Sequence, residues 1–70
     1  MVKNKIEYIV VLIAQFAKRY QLTSQDAYRY LRKYKGFVLC DEHYGIMHTL
    51  SIEENLNSLY LYCKKNGGYL

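Results

Sequence analysis

Proline is absent from this 70-residue chain, and glycine occurs only four times. Strong helix formers without proline favour helices over a β fold punctuated by Pro/Gly turns. Cysteine occurs twice, at Cys40 and Cys63, which is too few for a disulfide framework. A long apolar run is also missing. A membrane-crossing helix needs about 20 apolar residues, and Lys18 and Arg19 end the run that opens near Tyr8. The stretch 8–14 follows Lys3 and Lys5 and so imitates the apolar part of a secretory signal. Glu7 interrupts its flank, however, and no small-residue cleavage pattern follows. These features predict no membrane span and a cytoplasmic location with both thiols reduced.

Catalytic signatures are scarce as well. Gly67 and Gly68 follow a helical segment and read as a stop signal, not as a phosphate loop. The six acidic residues include no pair that can be placed as acid and base. The expectation is a non-enzymatic chain with no catalytic, cofactor-binding or metal-ligating residues and no small-molecule substrate.

What the chain has is apolar and aromatic material. The hydrophobic fraction is 51%, and tyrosine accounts for nine residues against two phenylalanines. That is enough apolar surface to offset the entropy of ordering, so disorder is excluded. A chain of this size still buries only about 60% of its unfolded surface, and its core is thin. Tyrosine can pack its ring while its hydroxyl stays wet. Most of these tyrosines suit half-buried core positions, and at least one tyrosine-rich contact surface is expected.

Four helical segments can be read. The first spans 5–20, with Asn4 as N-cap and Glu7 three residues on. Ile6, Ile9, Val10, Ile13, Ala17 and Tyr20 form one stripe at helical spacing, while Tyr8, Val11 and Leu12 occupy another face. This helix is apolar over more than half its circumference, so it either sits centrally or meets a partner. The second spans 24–35. Thr23 and Asp26 open it, Leu22 staples onto Ala27, and Gly36 serves as the C′ residue. Ala27, Leu31 and Tyr34 face inward, with Tyr30 beside them. The third is short, over 37–44, and Gly45 ends it. The stretch 46–50 then forms an extended connector. The fourth opens on the capping box from Ser51 to Glu54, runs on the stripe Ile52, Leu56, Leu59 and Cys63, and stops at Asn66, Gly67 and Gly68. The pattern predicts an all-α protein, a compact bundle of three longer helices and one short one, folded as a single domain over 1–70.

The net charge is +4, which invites a nucleic-acid reading. Position explains most of it instead. Lys18 and Arg19 close the first helix, Arg32, Lys33 and Lys35 the second, and Lys64 and Lys65 the last. Glu7, Asp26, Glu53 and Glu54 fall in first turns. Helix dipoles favour this arrangement by roughly 0.3–1 kcal/mol per charge. A helix-turn-helix on segments two and three is disfavoured, because the would-be recognition segment carries Asp41 and Glu42 and no basic residue. Nucleic-acid binding stays as the alternative, through Arg29, Arg32, Lys33 and Lys35.

Cys40, His43, His48 and Cys63 form the one cluster worth weighing for chemistry. As a Cys₂His₂ zinc set the spacing matches no standard finger, and Cys63 lies in the apolar stripe of the last helix. As a Cys–His nucleophile pair, Cys40 and His43 lack an oxyanion site and an orienting group. His48 and Thr49 have two readings: ordering the turn before Ser51, or forming a polar recognition spot with Tyr44 and His43 nearby.

The stretch 43–51, with Tyr44, His48, Thr49 and the Ser51–Glu54 cap, resembles a family of small bacterial all-helical proteins classed as a domain of unknown function. The segments around Ala27, Tyr28, Tyr30 and Leu31 and the end from Cys63 to Gly68 resemble members too, so the likeness spans nearly the whole chain. Genes of that family often lie beside small proteins of ADP-ribosyltransferase-like type. The resemblance implies an antitoxin-like or accessory partner. The expected function is a protein-interaction module that binds another small protein or itself, through Tyr8, Val11 and Leu12 on the spare face of the first helix and through Tyr44, His48 and Thr49.

Overall fold

The computed structural model describes residues 4–70 and is all-helical over them. Lys3, one of the two lysines ahead of the apolar run, lies outside the described residues. The elements in order are α1 (Lys5–Arg19), α2 (Ser24–Lys33), α3 (Gly36–Met47) and α4 (Ile52–Lys65). α1 packs against each of the other three, and α3 also packs against α2 and α4. No helix among the described residues is long and apolar enough to cross a membrane.

The helix starts follow local chemistry. The side chains of Asn4, Thr23 and Ser51 accept the backbone N–H of Glu7, Asp26 and Glu54 at 2.9, 3.0 and 3.1 Å. Each satisfies one of the donors that a helix N-terminus leaves open. Two helix ends close as Schellman motifs. After α4, Gly68 N–H donates to Cys63 O at 2.8 Å and Gly67 N–H to Lys64 O at 3.1 Å, with Gly67 at φ +99°. After α1, Leu22 N–H donates to Ala17 O at 2.8 Å and Gln21 N–H to Lys18 O at 3.4 Å, with Gln21 at φ +56°.

Three expectations change. First, Gly36 does not end α2. Lys35 takes the left-handed position at φ +67°, and Gly36 opens α3 as a buried residue. A methyl at Gly36 would stand 2.8 Å from Leu31 Cδ2 and 3.2 Å from Cys63 Sγ. The glycine is used for close approach of α3 to α2 and α4, and its backbone freedom goes unused. Second, α3 is not the short helix. It has 12 residues against 10 in α2, and it passes through Gly45 with a kink at His43 (φ −118°, ψ 19°). The chain expected to be extended over 46–50 starts inside this helix. Met47 is buried there, which holds the last turn against the core. Third, the inward face of α1 is rotated. Tyr8, Leu12, Phe16 and Ala17 are buried, whereas Ile6 is 76% and Val10 58% exposed. Ile9, Ile13 and Tyr20 pack at the edge of the core.

The aromatic residues explain that rotation. Phe16 lies with ring centroids 4.7 Å from Tyr20 and 5.8 Å from Tyr30, and Tyr20 stacks on Tyr60 of α4 at 5.3 Å and 14°. A buried Phe, Leu or Ile contributes about 1.5–3 kcal/mol, and offset or edge ring pairs add about 0.5–1.5 kcal/mol each. Turning the Ile6 and Val10 face inward would forfeit the ring contacts for a similar aliphatic gain. The α4 stripe behaves as expected: Leu56, Leu59 and Cys63 are buried and Ile52 is half-buried. So does α2, with Ala27, Tyr30 and Leu31 inside and Tyr34 at the edge.

Candidate functional site

α1, α3 and α4 meet around Tyr44. Its ring lies edge-on to Tyr8 at 5.5 Å and 74°, and stacks on His48 at 5.0 Å and 20°. Lys5 Nζ sits 5.9 Å from the Tyr44 ring centroid and ion-pairs with Asp41. Below the rings, buried Asn55 donates its amide to the Tyr8 hydroxyl and, at 2.7 Å, to the backbone oxygen of Met47. The Tyr8 hydroxyl is pushed above its ordinary value, first by burial and then by Cys40, while the Asn55 hydrogen bond pulls the other way. Asn55 Oδ1 is buried without a partner.

The residues after Tyr44 close α3. His48 Nδ1 lies 2.9 Å from Tyr44 O, which can only accept, so that nitrogen carries the proton. Thr49 Oγ1 donates to Ile46 O at 2.7 Å. With the Asn55 bond to Met47, side chains thus add a second donor to three carbonyls of the last turn, Tyr44, Ile46 and Met47, which also accept the backbone N–H of His48, Thr49 and Leu50. This geometry gives His48 and Thr49 a structural task, although both remain exposed.

The structure therefore brings Tyr8, Tyr44 and His48 together and sets Thr49 beside them. It separates the rest of the expected contact surface. Tyr8 and Leu12 are core residues, so neither offers a free face to a partner, and Val11 is half-buried. The correction has one cause: α1 docks through its aromatic side. Asn55 and Lys5 were missed. Asn55 precedes Leu56 and stands three residues from Ile52 and four from Leu59, both in the apolar stripe. That position was the available signal.

The cysteine–histidine cluster does not assemble. Cys40 and Cys63 are buried free thiols, and both are pushed up to about 11, chiefly by burial. A thiol held neutral in this way is a poor nucleophile and a poor ligand. His43 is exposed at the kink of α3, and His48 belongs to the Tyr44 stack. Among the described residues no group of three or more His, Cys, Asp or Glu could hold a metal ion.

The basic residues of α2 and of the turn that follows it lie outward. Arg29, Arg32, Lys33 and Lys35 are all exposed. Arg29 approaches Asp26 at 3.9 Å, and Lys33 Nζ stands 5.6 Å from the Tyr34 ring centroid. Two open clefts also lie on the surface of the described residues. One, of about 600 Å³, lies between Lys18, Arg19 and the Ile52–Glu53 start of α4. The other, of about 290 Å³, is mainly apolar and lies between α3 and α4, with Leu39, Ile46, Met47 and Leu50 along it.

The model of a protein family described as "Protein of unknown function (DUF3791)" matches residues 7–66. The chain belongs to this family. The DUF3791 match takes in Tyr8, Tyr44, His48 and Asn55, both thiols and nearly all of the four helices. No curated protein and no solved structure matches the chain.

Proposed function

We propose that this DUF3791 chain is a non-enzymatic interaction module, an accessory or antitoxin-like partner of another small protein. The apolar cleft between α3 and α4 carries the reading. Ile46 is 65% exposed and Leu50 42% exposed beside it, with Leu39 and Met47 along the floor. Apolar side chains grouped at a concave surface favour association, because covering them releases water at about 25 cal/mol per Å². The groups with the chemistry for catalysis serve the fold instead: the thiols are buried and neutral, and His48 holds the end of α3. By the family resemblance, the partner to try first is a small ADP-ribosyltransferase-like protein encoded nearby.

Light scattering of the chain alone and co-expressed with that neighbour tests the proposal. A defined heteromeric mass that Ile46→Glu abolishes, with helical content intact, is the expected result. A monomer that ignores the neighbour overturns it.

A further inference from the structure

The tail after α4 folds back along α2 and draws two distant basic segments together. Tyr69 sets its ring against Tyr30 at 5.1 Å and Tyr34 at 6.0 Å. Leu70 is tied at both backbone atoms: its N–H donates to the Tyr30 hydroxyl at 3.4 Å, and its oxygen accepts from Tyr60 at 3.0 Å. Gly36, immediately after Lys35, packs on Cys63, immediately before Lys64. The C-terminal ends of α2 and α4 thus share one end of the bundle. Arg32, Lys33, Lys35, Lys64 and Lys65 gather there, all exposed. Four of the six acids are placed at helix starts or in an ion pair. Asp26, Glu53 and Glu54 are in first turns, and Asp41 is turned to Lys5.

Helix dipoles account for only part of this charge. A helix C-terminus is equivalent to about half a negative charge, so two of them offset roughly one of these cations. The remainder is a net positive end with an exposed aromatic ring on it: Tyr69 is 70% exposed. Lys33 also stands over Tyr34, next to Tyr69. Lysine-rich surfaces are depleted from protein–protein interface cores. Lysines beside an open aromatic ring fit a strand of phosphates with unstacked bases. The surface consists of the last turns of two helices, the turn after α2 and a tail.

We propose that this end of the molecule binds single-stranded nucleic acid without strong sequence preference. Lys33, Lys35, Lys64, Lys65 and Arg32 contact the phosphates, and Tyr69 stacks on a base. The site is separate from the α3–α4 cleft and does not depend on the role proposed for it.

The test is fluorescence anisotropy of a labelled oligothymidylate of about 12 nucleotides titrated with the whole chain. Saturable binding is expected at about 50 mM salt, falling at least tenfold by about 200 mM. Lys64→Gln with Lys65→Gln weakens it several-fold and flattens the salt dependence. Tyr69→Ala weakens it about fivefold or more, Tyr69→Phe restores it, and Lys18→Gln leaves it unchanged. Circular dichroism confirms that each variant is folded. Absence of binding at the lower salt overturns the proposal. So does binding that Tyr69→Ala leaves intact, or equal competition by a polyglutamate peptide, which would mark a surface for acidic proteins.

Discussion

Asn55 donates its side-chain amide to the backbone oxygen of Met47 at 2.7 Å, joining the inside of α4 to the last turn of α3. The same amide reaches the Tyr8 hydroxyl on α1, so one buried side chain ties three helices. Asn55→Ala leaves the buried Tyr8 hydroxyl without this donor and takes one of two donors from Met47 O, which keeps the Leu50 N–H at 3.1 Å. A loss of about 2–4 kcal/mol is expected, about 1–3 kcal/mol for the unpaired hydroxyl and about 1 kcal/mol for the lost bond to Met47. Tyr8→Phe removes only one of the bonds and costs about 1 kcal/mol. Urea unfolding followed by circular dichroism measures both, and equal losses for the two variants would contradict the tie.

Gly36 and Gly68 are needed for space. A methyl at Gly36 meets Leu31 and Cys63, and one at Gly68 meets the Tyr30 hydroxyl and, at 2.8 Å, the backbone oxygen of Cys63. Leu31 can shift slightly, but a backbone carbonyl cannot. Gly36→Ala is expected to cost about 1–3 kcal/mol, and Gly68→Ala at least as much. At Gln21, φ +56° strains an L-residue, and Gln21→Gly raises stability by about 0.5–1 kcal/mol. Melting temperatures decide; a fall for Gln21→Gly would show that its side chain matters more than its backbone.

The two thiols give the fold an alkaline limit. Burial raises both from 9.0 to about 11. In the unfolded chain they lose their protons first, so the unfolded state binds fewer protons between about pH 9 and 11. The thiol contribution to stability is complete below about pH 9 and is lost as pH rises through that window. The hydroxyls of Tyr8, Tyr20 and Tyr30, each raised chiefly by desolvation, act in the same direction. The melting temperature falls from pH 8 to 11, and less steeply in a Cys40→Ala, Cys63→Ala variant. An aromatic disulfide reagent at neutral pH labels neither thiol until the chain is unfolded. Fast labelling of the native protein would contradict their burial.

Thr49 and Ile46 separate folding from recognition. Thr49 Oγ1 donates to Ile46 O, so Thr49→Val costs about 0.5–1.5 kcal/mol of stability and leaves complex formation unchanged. Ile46 is largely exposed, so Ile46→Glu leaves stability nearly unchanged and abolishes the complex. Parallel melting and light-scattering measurements check the pair. A Thr49→Val variant that melts normally but binds no partner would transfer the recognition role to the turn.

The sequence by itself determined what depends on neighbours along the chain. Asn4, Thr23 and Ser51 cap because each lies three residues before an N–H that needs an acceptor. Gly67 and Gly68 stop α4 because the closing hydrogen bonds need a left-handed residue at that point. The inward stripes of α2 and α4 were legible because each helix has one apolar side. α1 is apolar around most of its circumference, so periodicity offers more than one inward face. Ring packing among Phe16, Tyr20, Tyr30 and Tyr60 and the reach of Tyr8 to Asn55 decided between them. Gly36 reads as a helix stop until the approach of Leu31 and Cys63 gives it another task. The basic end was hidden for the same reason. Lys35 and Lys64 are far apart in sequence, and only the packing of Gly36 on Cys63 and of Tyr69 on α2 makes them neighbours. Caps and turns are short-range and can be read locally, whereas the choice of face and the meeting of distant charges depend on contacts that exist only once the helices have docked.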